Sequence, residues 1–118
     1  MTSLTDASIP VFQLELDPLL LLPIRLFVLC LLTDVRWQEE SALATRLRVS
    51  SRVLTPHTDR LLAAGYLARH EGHRSLLRLT ELGFERLTSH VTAFQRVASR
   101  AVDLVAAQRA GPVHRCDT

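Results

Sequence analysis

The longest apolar run of the chain, LLLLPIRLFVLCLL from Leu19 to Leu32, is interrupted only by Pro23 and Arg25. Asp17 can cap a helix here, with Pro18 in its first turn and an end near Thr33. Such a helix is apolar on nearly every side, so it has to be covered on several of them. The run is shorter than the roughly 20 apolar residues of a membrane span. Asp6, Glu15 and Asp17 precede it where a signal peptide would carry basic residues. A buried helix is the expectation.

The pattern then becomes amphipathic. Leu43, Ala44 and Leu47 share a face of a helix expected over Gln38 to Leu47, with Glu39 and Glu40 in its first turn, where acids suit the helix dipole. Ser50 is a good N-cap for a third helix, which carries Leu54, Thr58, Leu61 and Leu62 on one face and stops at Gly65. Two short helices joined by a tight turn have helix-turn-helix geometry. Arg52, Thr55, Pro56, Asp59 and Arg60 occupy the other face of the third helix. Pro56 is either its sixth residue, deleting one hydrogen bond to Arg52, or the first residue of a shorter helix capped by Thr55.

YLARHEGHRSLLRLT, Tyr66 to Thr80, reads as a hairpin around Glu71-Gly72. A two-residue loop would set Arg69 opposite Arg74 and His70 opposite His73. Thr80 then caps a last helix in which Phe84, Leu87, Val91, Phe94, Ala98, Ala101 and Val105 step alternately by three and four, a heptad seam ended by Gly111-Pro112. The fold class is therefore mainly α with some β. The divisions are an arm over 1–16, a domain over 17–110 whose last helix covers about 81–109, and a tail over 111–118.

Charge sharpens this picture. The net charge is only +2, and all 14 basic residues are arginine. Residues 1–43 hold two arginines and six acids, whereas residues 44–78 hold seven arginines and two acids. The middle third is thus the part suited to a polyanion. A coding bias is the simplest explanation of a lysine-free composition, but every positive charge is then a guanidinium fork, which matches phosphate oxygens and guanine edges. Cys30 lies in the apolar run and is expected in the core, and Cys116 lies beside the C-terminus, so no disulfide framework is expected and a reducing cytoplasm fits. No zinc-finger spacing, nucleophile–base arrangement or glycine-rich phosphate loop is present, so no catalytic residue, metal or cofactor is expected.

Helix, helix, turn, helix, two-stranded wing and long helix make a winged helix-turn-helix, and four stretches resemble the small regulators of the MarR and PadR groups. LDPLLLLPIRL (Leu16 to Leu26) is similar to their opening helix, and LATRLRVSSRVLTPHTDRLLAAGYL (Leu43 to Leu67) to their helix-turn-helix. LRLTELG (Leu77 to Gly83) resembles the exit from their wing, and the heptad helix resembles their dimerisation helix. The chain departs from the pattern at Arg48, where turns of this kind usually hold glycine, and at Thr58, where a core leucine is usual. Pro56 and Asp59 are departures too.

The resemblance implies a transcriptional regulator that binds double-stranded DNA as a homodimer, with a small-molecule effector left unidentified. An interaction module without DNA binding is the alternative, supported by Asp59 and the modest net charge. Arg52 is the first candidate for reading bases, with Ser51, Thr55 and Pro56 beside it. Arg60, Arg46 and Arg48 are candidates for phosphate, and Arg69, His73 and Arg74 for a DNA-facing wing. Asp59 is expected to pair with Arg60 or Arg52, or to accept from a cytosine amine. Trp37 is expected to pack on the first helix. A metal between His70 and His73 lacks a third ligand nearby.

Overall fold

The computed structural model describes residues 16–116, with side chains to residue 111. The Asp17 carboxylate accepts the Leu19 N–H at 3.0 Å and caps only a 3-10 turn, Pro18–Leu20. The first α-helix, α1, begins afresh at Pro23 and runs Pro23–Leu31. The single helix expected from Asp17 to Thr33 is thus broken. Pro23 has no N–H to donate, and its ring forces Leu22 into an extended conformation (φ −81°, ψ 119°). Val28, Leu29 and Leu32 enter the core, which turns Phe27 and Cys30 outward on the opposite side of α1. Cys30 is accordingly exposed rather than a core residue, and partial burial still raises its thiol pKa.

Gln38–Glu39 form a strand, β1, and the next helix, α2, covers only Glu40–Leu47. The expected helical start at Gln38 is therefore two residues early. Gln38 and Glu39 pair antiparallel with Leu77 and Leu76, a long-range contact that local pattern does not reveal. Arg48 closes α2 in the left-handed conformation (φ 60°, ψ 42°), and Val49 N–H returns to the Ala44 carbonyl at 3.0 Å. A side chain in that region costs about 1 kcal/mol relative to glycine. Ser50 Oγ then accepts the Val53 N–H at 3.2 Å and starts α3, Ser51–Ala63. Pro56 lies inside this helix as its sixth residue, so the shorter helix capped by Thr55 does not occur.

Gly65 follows α3 at φ 84°, a conformation favouring glycine, and leads into β2, Leu67–Arg69. β3, Leu76–Leu79, pairs antiparallel with β2 as the expected two-stranded wing, and β1 adds a third strand on its other edge. Leu77 and Leu79 point into the core and Arg78 outward, as strand alternation requires. Thr80 joins the end of α3 to the start of the last helix. Its hydroxyl donates to the Gly65 carbonyl at 2.6 Å and accepts the Gly83 N–H at 3.0 Å. A Cβ on Gly83 would lie 2.2 Å from the Tyr66 carbonyl oxygen, so only glycine fits there.

The last helix, α4, runs Glu81–Cys116, past the expected stop at Gly111-Pro112. Glycine and proline weaken a helix locally by about 1 and 3 kcal/mol, which is a cost and not an automatic terminus. Residues 17–90 form one compact unit, and α4 from Val91 onward belongs to a second. The core of the first unit is built from Leu20, Val28, Leu29, Leu32, Leu43, Leu54, Leu61, Leu77 and Leu79, with Leu87 from the base of α4. Among the described residues no helix is long and apolar enough to cross a membrane. The arm expected over 1–16 lies, except for Leu16, outside the described residues.

One polar cluster is built into this core. Tyr66 donates its phenol to Asp17 Oδ2 at 2.5 Å, and the Asp17 N–H donates to His90 Nδ1 at 2.9 Å. Burial, helped by the Asp17 hydrogen bond, pushes the Tyr66 phenol up to about 12. Burial also pushes the His90 imidazole below its ordinary value, against opposing contributions from Asp17 and a Leu20 backbone hydrogen bond.

Candidate nucleic-acid interface

The two flanks of α3 differ. On one flank, Thr58 is fully buried, and its hydroxyl donates to Glu40 Oε2 at 2.6 Å. Thr55, half-buried one turn earlier, donates to the Ser51 carbonyl at 2.8 Å and lies 3.5 Å from the same Glu40 oxygen. Arg69 of β2 reaches Glu40 Oε1 at 3.4 Å and Asp59 Oδ1 at 3.7 Å, while donating to the Arg74 carbonyl at 2.7 Å. One guanidinium therefore connects α2, α3 and the wing loop. Asp59 pairs with Arg69 and not with Arg60 or Arg52, because β2 places Arg69 within reach of that flank. Thr58 is polar where a leucine was the family expectation because its hydroxyl anchors this connection.

The other flank is open. Ser51, Arg52, Val53, Pro56 and Arg60 are exposed, and Val53, Pro56 and Arg60 follow one another at i, i+3 and i+7 with Arg52 alongside. Arg52 and Arg60 take part in none of the ion pairs among the described residues. Arg48 is exposed in the turn before α3, and Arg46 donates to Gln38 Oε1 at 3.2 Å. His57, behind the open flank, accepts from Arg25 Nε of α1 at 3.1 Å. Burial and then the Arg25 charge lower its pKa.

The wing differs from its expected register. Arg69 pairs with Leu77, and the loop covers 70–75, so Arg69 does not face Arg74 across a two-residue turn. The loop has its own bonds: His70 Nδ1 accepts the Gly72 N–H at 3.0 Å, and Leu76 N–H reaches the His73 carbonyl at 3.0 Å. His73 and Arg74 are exposed on it, with His73 Nε2 3.7 Å from Glu39. Trp37 packs on the wing: its ring meets His70 edge-on at 4.9 Å and carries the Arg78 guanidinium 4.5 Å from its centroid. Among the described residues no three His, Cys, Asp or Glu side chains gather to hold a metal.

Glu40 was the residue missed. Its place in the first turn of α2 suggested only a dipole effect, and the available signal was the polar Thr58 on an otherwise apolar face. Of the seven seam residues, Leu87 is buried, while Phe84 and Phe94 are 48% exposed and Val105 is 58% exposed. Ala98 and Ala101 are exposed and Val91 is half-buried.

No protein-family model matches this chain, and no curated protein sequence does. Solved structures do match. Sco5413, a MarR family transcriptional regulator from Streptomyces coelicolor, superposes with a TM-score of 0.61 at 23% identity, over 98% of this chain and 92% of its own. YusO from Bacillus subtilis matches with a TM-score of 0.61 at 21% identity, over 97% and 91% of the two chains. ZitR from Lactococcus lactis, solved in complex with DNA, matches with a TM-score of 0.50 at 19% identity, over 69% of this chain and 57% of its own. With its helix-turn-helix, its wing and its long last helix, the chain folds as a MarR-like winged helix.

Proposed function

We propose that this chain is a sequence-specific transcriptional regulator, not an enzyme, that binds double-stranded DNA as a homodimer in the cytoplasm. The sorting of charge around α3 carries the reading. Arg69 holds Glu40 and Asp59 on one flank, while Arg52 and Arg60 remain outside every ion pair among the described residues on the other. A helix with its neighbouring acids paired and its arginines free presents positive charge to a polyanion. ZitR, a protein of similar fold solved in complex with DNA, supports DNA as the partner.

In this reading Arg52 addresses a base edge from the major groove, with Ser51 and Pro56 beside it. Arg60, Arg46 and Arg48 meet phosphates, as do His73 and Arg74 from the wing loop. Arg69 and Thr55 act one step back, because their polar atoms are committed to Glu40, Asp59 and backbone carbonyls. They hold the wing and α3 in place for the residues that touch DNA. The pairing of Asp59 with Arg69 weakens one of the two supports for a module without DNA binding, the modest net charge being the other. The exposed apolar side chains Val102, Leu104 and Val105 of α4 support a second copy as the partner that covers them. No small-molecule effector is assigned.

Duplex affinity at two salt concentrations tests the reading. Binding should weaken steeply with salt, with a slope that falls by up to about one unit for Arg60→Ala or Arg74→Ala. Absence of duplex binding at low salt would overturn it.

A further inference from the structure

We infer that Val53 and Pro56 form an apolar reading edge on α3 that recognises the 5-methyl group of thymine, with Val53 setting the preference at one position of each half-site. This rests on the reading of α3 as the DNA-facing helix.

Val53 is 50% exposed, although it belongs to the first turn of a helix whose other face builds the core. Its backbone is fixed twice: the Val53 N–H meets Ser50 Oγ at 3.2 Å and the Ser50 carbonyl at 3.1 Å. Its side chain therefore leaves the helix from a well-held position. Three residues after an N-cap serine is also the place where glutamate or glutamine closes a capping box. This chain has valine there, and α3 has no acid anywhere in its first turn. That choice gives up a local stabilisation of the helix and keeps negative charge away from an approaching phosphate.

Pro56 continues the edge. It is exposed one turn further along, presents an apolar ring and has no N–H to offer. Arg52 lies beside the pair and Arg60 beyond it on the same open flank, whereas Thr55, Thr58 and Asp59 on the other flank are occupied by Glu40 and Arg69. In the major groove only thymine displays a methyl group, and an apolar side chain is what distinguishes it from the other bases. Arg52 and Val53 together would then read a hydrogen-bonding base beside a thymine.

The test uses the full chain and a duplex selected by it from random sequence, with each thymine replaced in turn by deoxyuridine, which lacks only the methyl. The expected result is a loss of about threefold to tenfold at one thymine per half-site. Val53→Ala should bind the thymine duplex weaker by a similar factor and be indifferent to uridine at that position. Sequence-specific binding that no uridine weakens would overturn the inference and leave the proposed function standing. So would a uridine penalty that persists undiminished in both Val53→Ala and Pro56→Ala. A selection that returns no preferred sequence would remove the reading of α3 and this inference with it.

Discussion

The hydroxyl of Thr58, buried on α3, donates to the carboxylate of Glu40 on α2 at 2.6 Å, and the same carboxylate receives Arg69 from the wing at 3.4 Å. Glu40 is thus the joint between the scaffold helix, the reading helix and the wing. Glu40→Ala should destabilise the fold by about 1–2 kcal/mol, since Thr58 keeps only its 3.0 Å bond to the Thr55 carbonyl and Arg69 loses its nearer carboxylate. Asp59→Ala should change stability by less than about 1 kcal/mol, because the Asp59 side chain is 60% exposed and its ion pair is screened by water. Denaturant midpoints of the two variants check the order; equal losses would contradict it.

Arg48 holds a left-handed turn that glycine would occupy without strain. Arg48→Gly should therefore raise stability by about 1 kcal/mol. If the arginine is kept for phosphate, the same change should lower the salt slope of DNA binding by up to about one unit. Thermal unfolding beside a salt titration measures both effects, and a destabilised Arg48→Gly would refute the strain argument.

Acid should weaken the fold through its two shifted histidines. His90 accepts the Asp17 N–H and His57 accepts from Arg25, so each ring uses Nδ1 in the unprotonated form. Both pKa values are lowered from 6.5 in the folded chain, chiefly by burial. The unfolded chain then binds protons more readily, so this stability is complete above pH 6.5 and is lost as pH falls below it toward the lowered folded values. Melting temperatures between pH 8 and pH 5 should decline on the acid side, and His90→Gln should flatten the decline. A melting temperature that rises on acidification would contradict the assignment.

Assembly makes a separate claim. Phe94 and Val105 are 48% and 58% exposed on α4, and Val102 and Leu104 near them are also open. A charge placed there should oppose a second copy, so Phe94→Glu should sediment as a monomer where the parent sediments as a dimer at micromolar concentration. A parent that is monomeric at that concentration, or a Phe94→Glu variant that remains dimeric, would remove the dimer from the account.

The features legible in the sequence were those set by neighbouring residues. Ser50 as a cap, Gly65 as a stop and Thr80 as the start of the last helix are each local chemistry, and each holds. The heptad reading of α4 was local too, yet Leu87 is needed in the core of residues 17–90 and leaves the seam there. What escaped was paired at a distance. β1 exists because Gln38 and Glu39 meet Leu77 and Leu76, and the ring contacts of Trp37 with His70 and Arg78 likewise join residues far apart in the chain. The Glu40–Thr58 bond spans 18 residues, so no window over one helix displays it. Pro23 is a local signal too: a proline in an apolar run still removes an N–H.

Selection of binding sites from random duplex DNA, by the parent chain and by Arg52→Ala, tests most directly whether the open flank of α3 reads sequence. The parent should return a near-palindrome with half-sites about one helical turn apart. Arg52→Ala should bind that site about 1–3 kcal/mol more weakly and lose preference at a single base position in each half-site. A variant that selects the same site with the same affinity as the parent would show that Arg52 is not a reader and would contradict the charge-based account of the open flank.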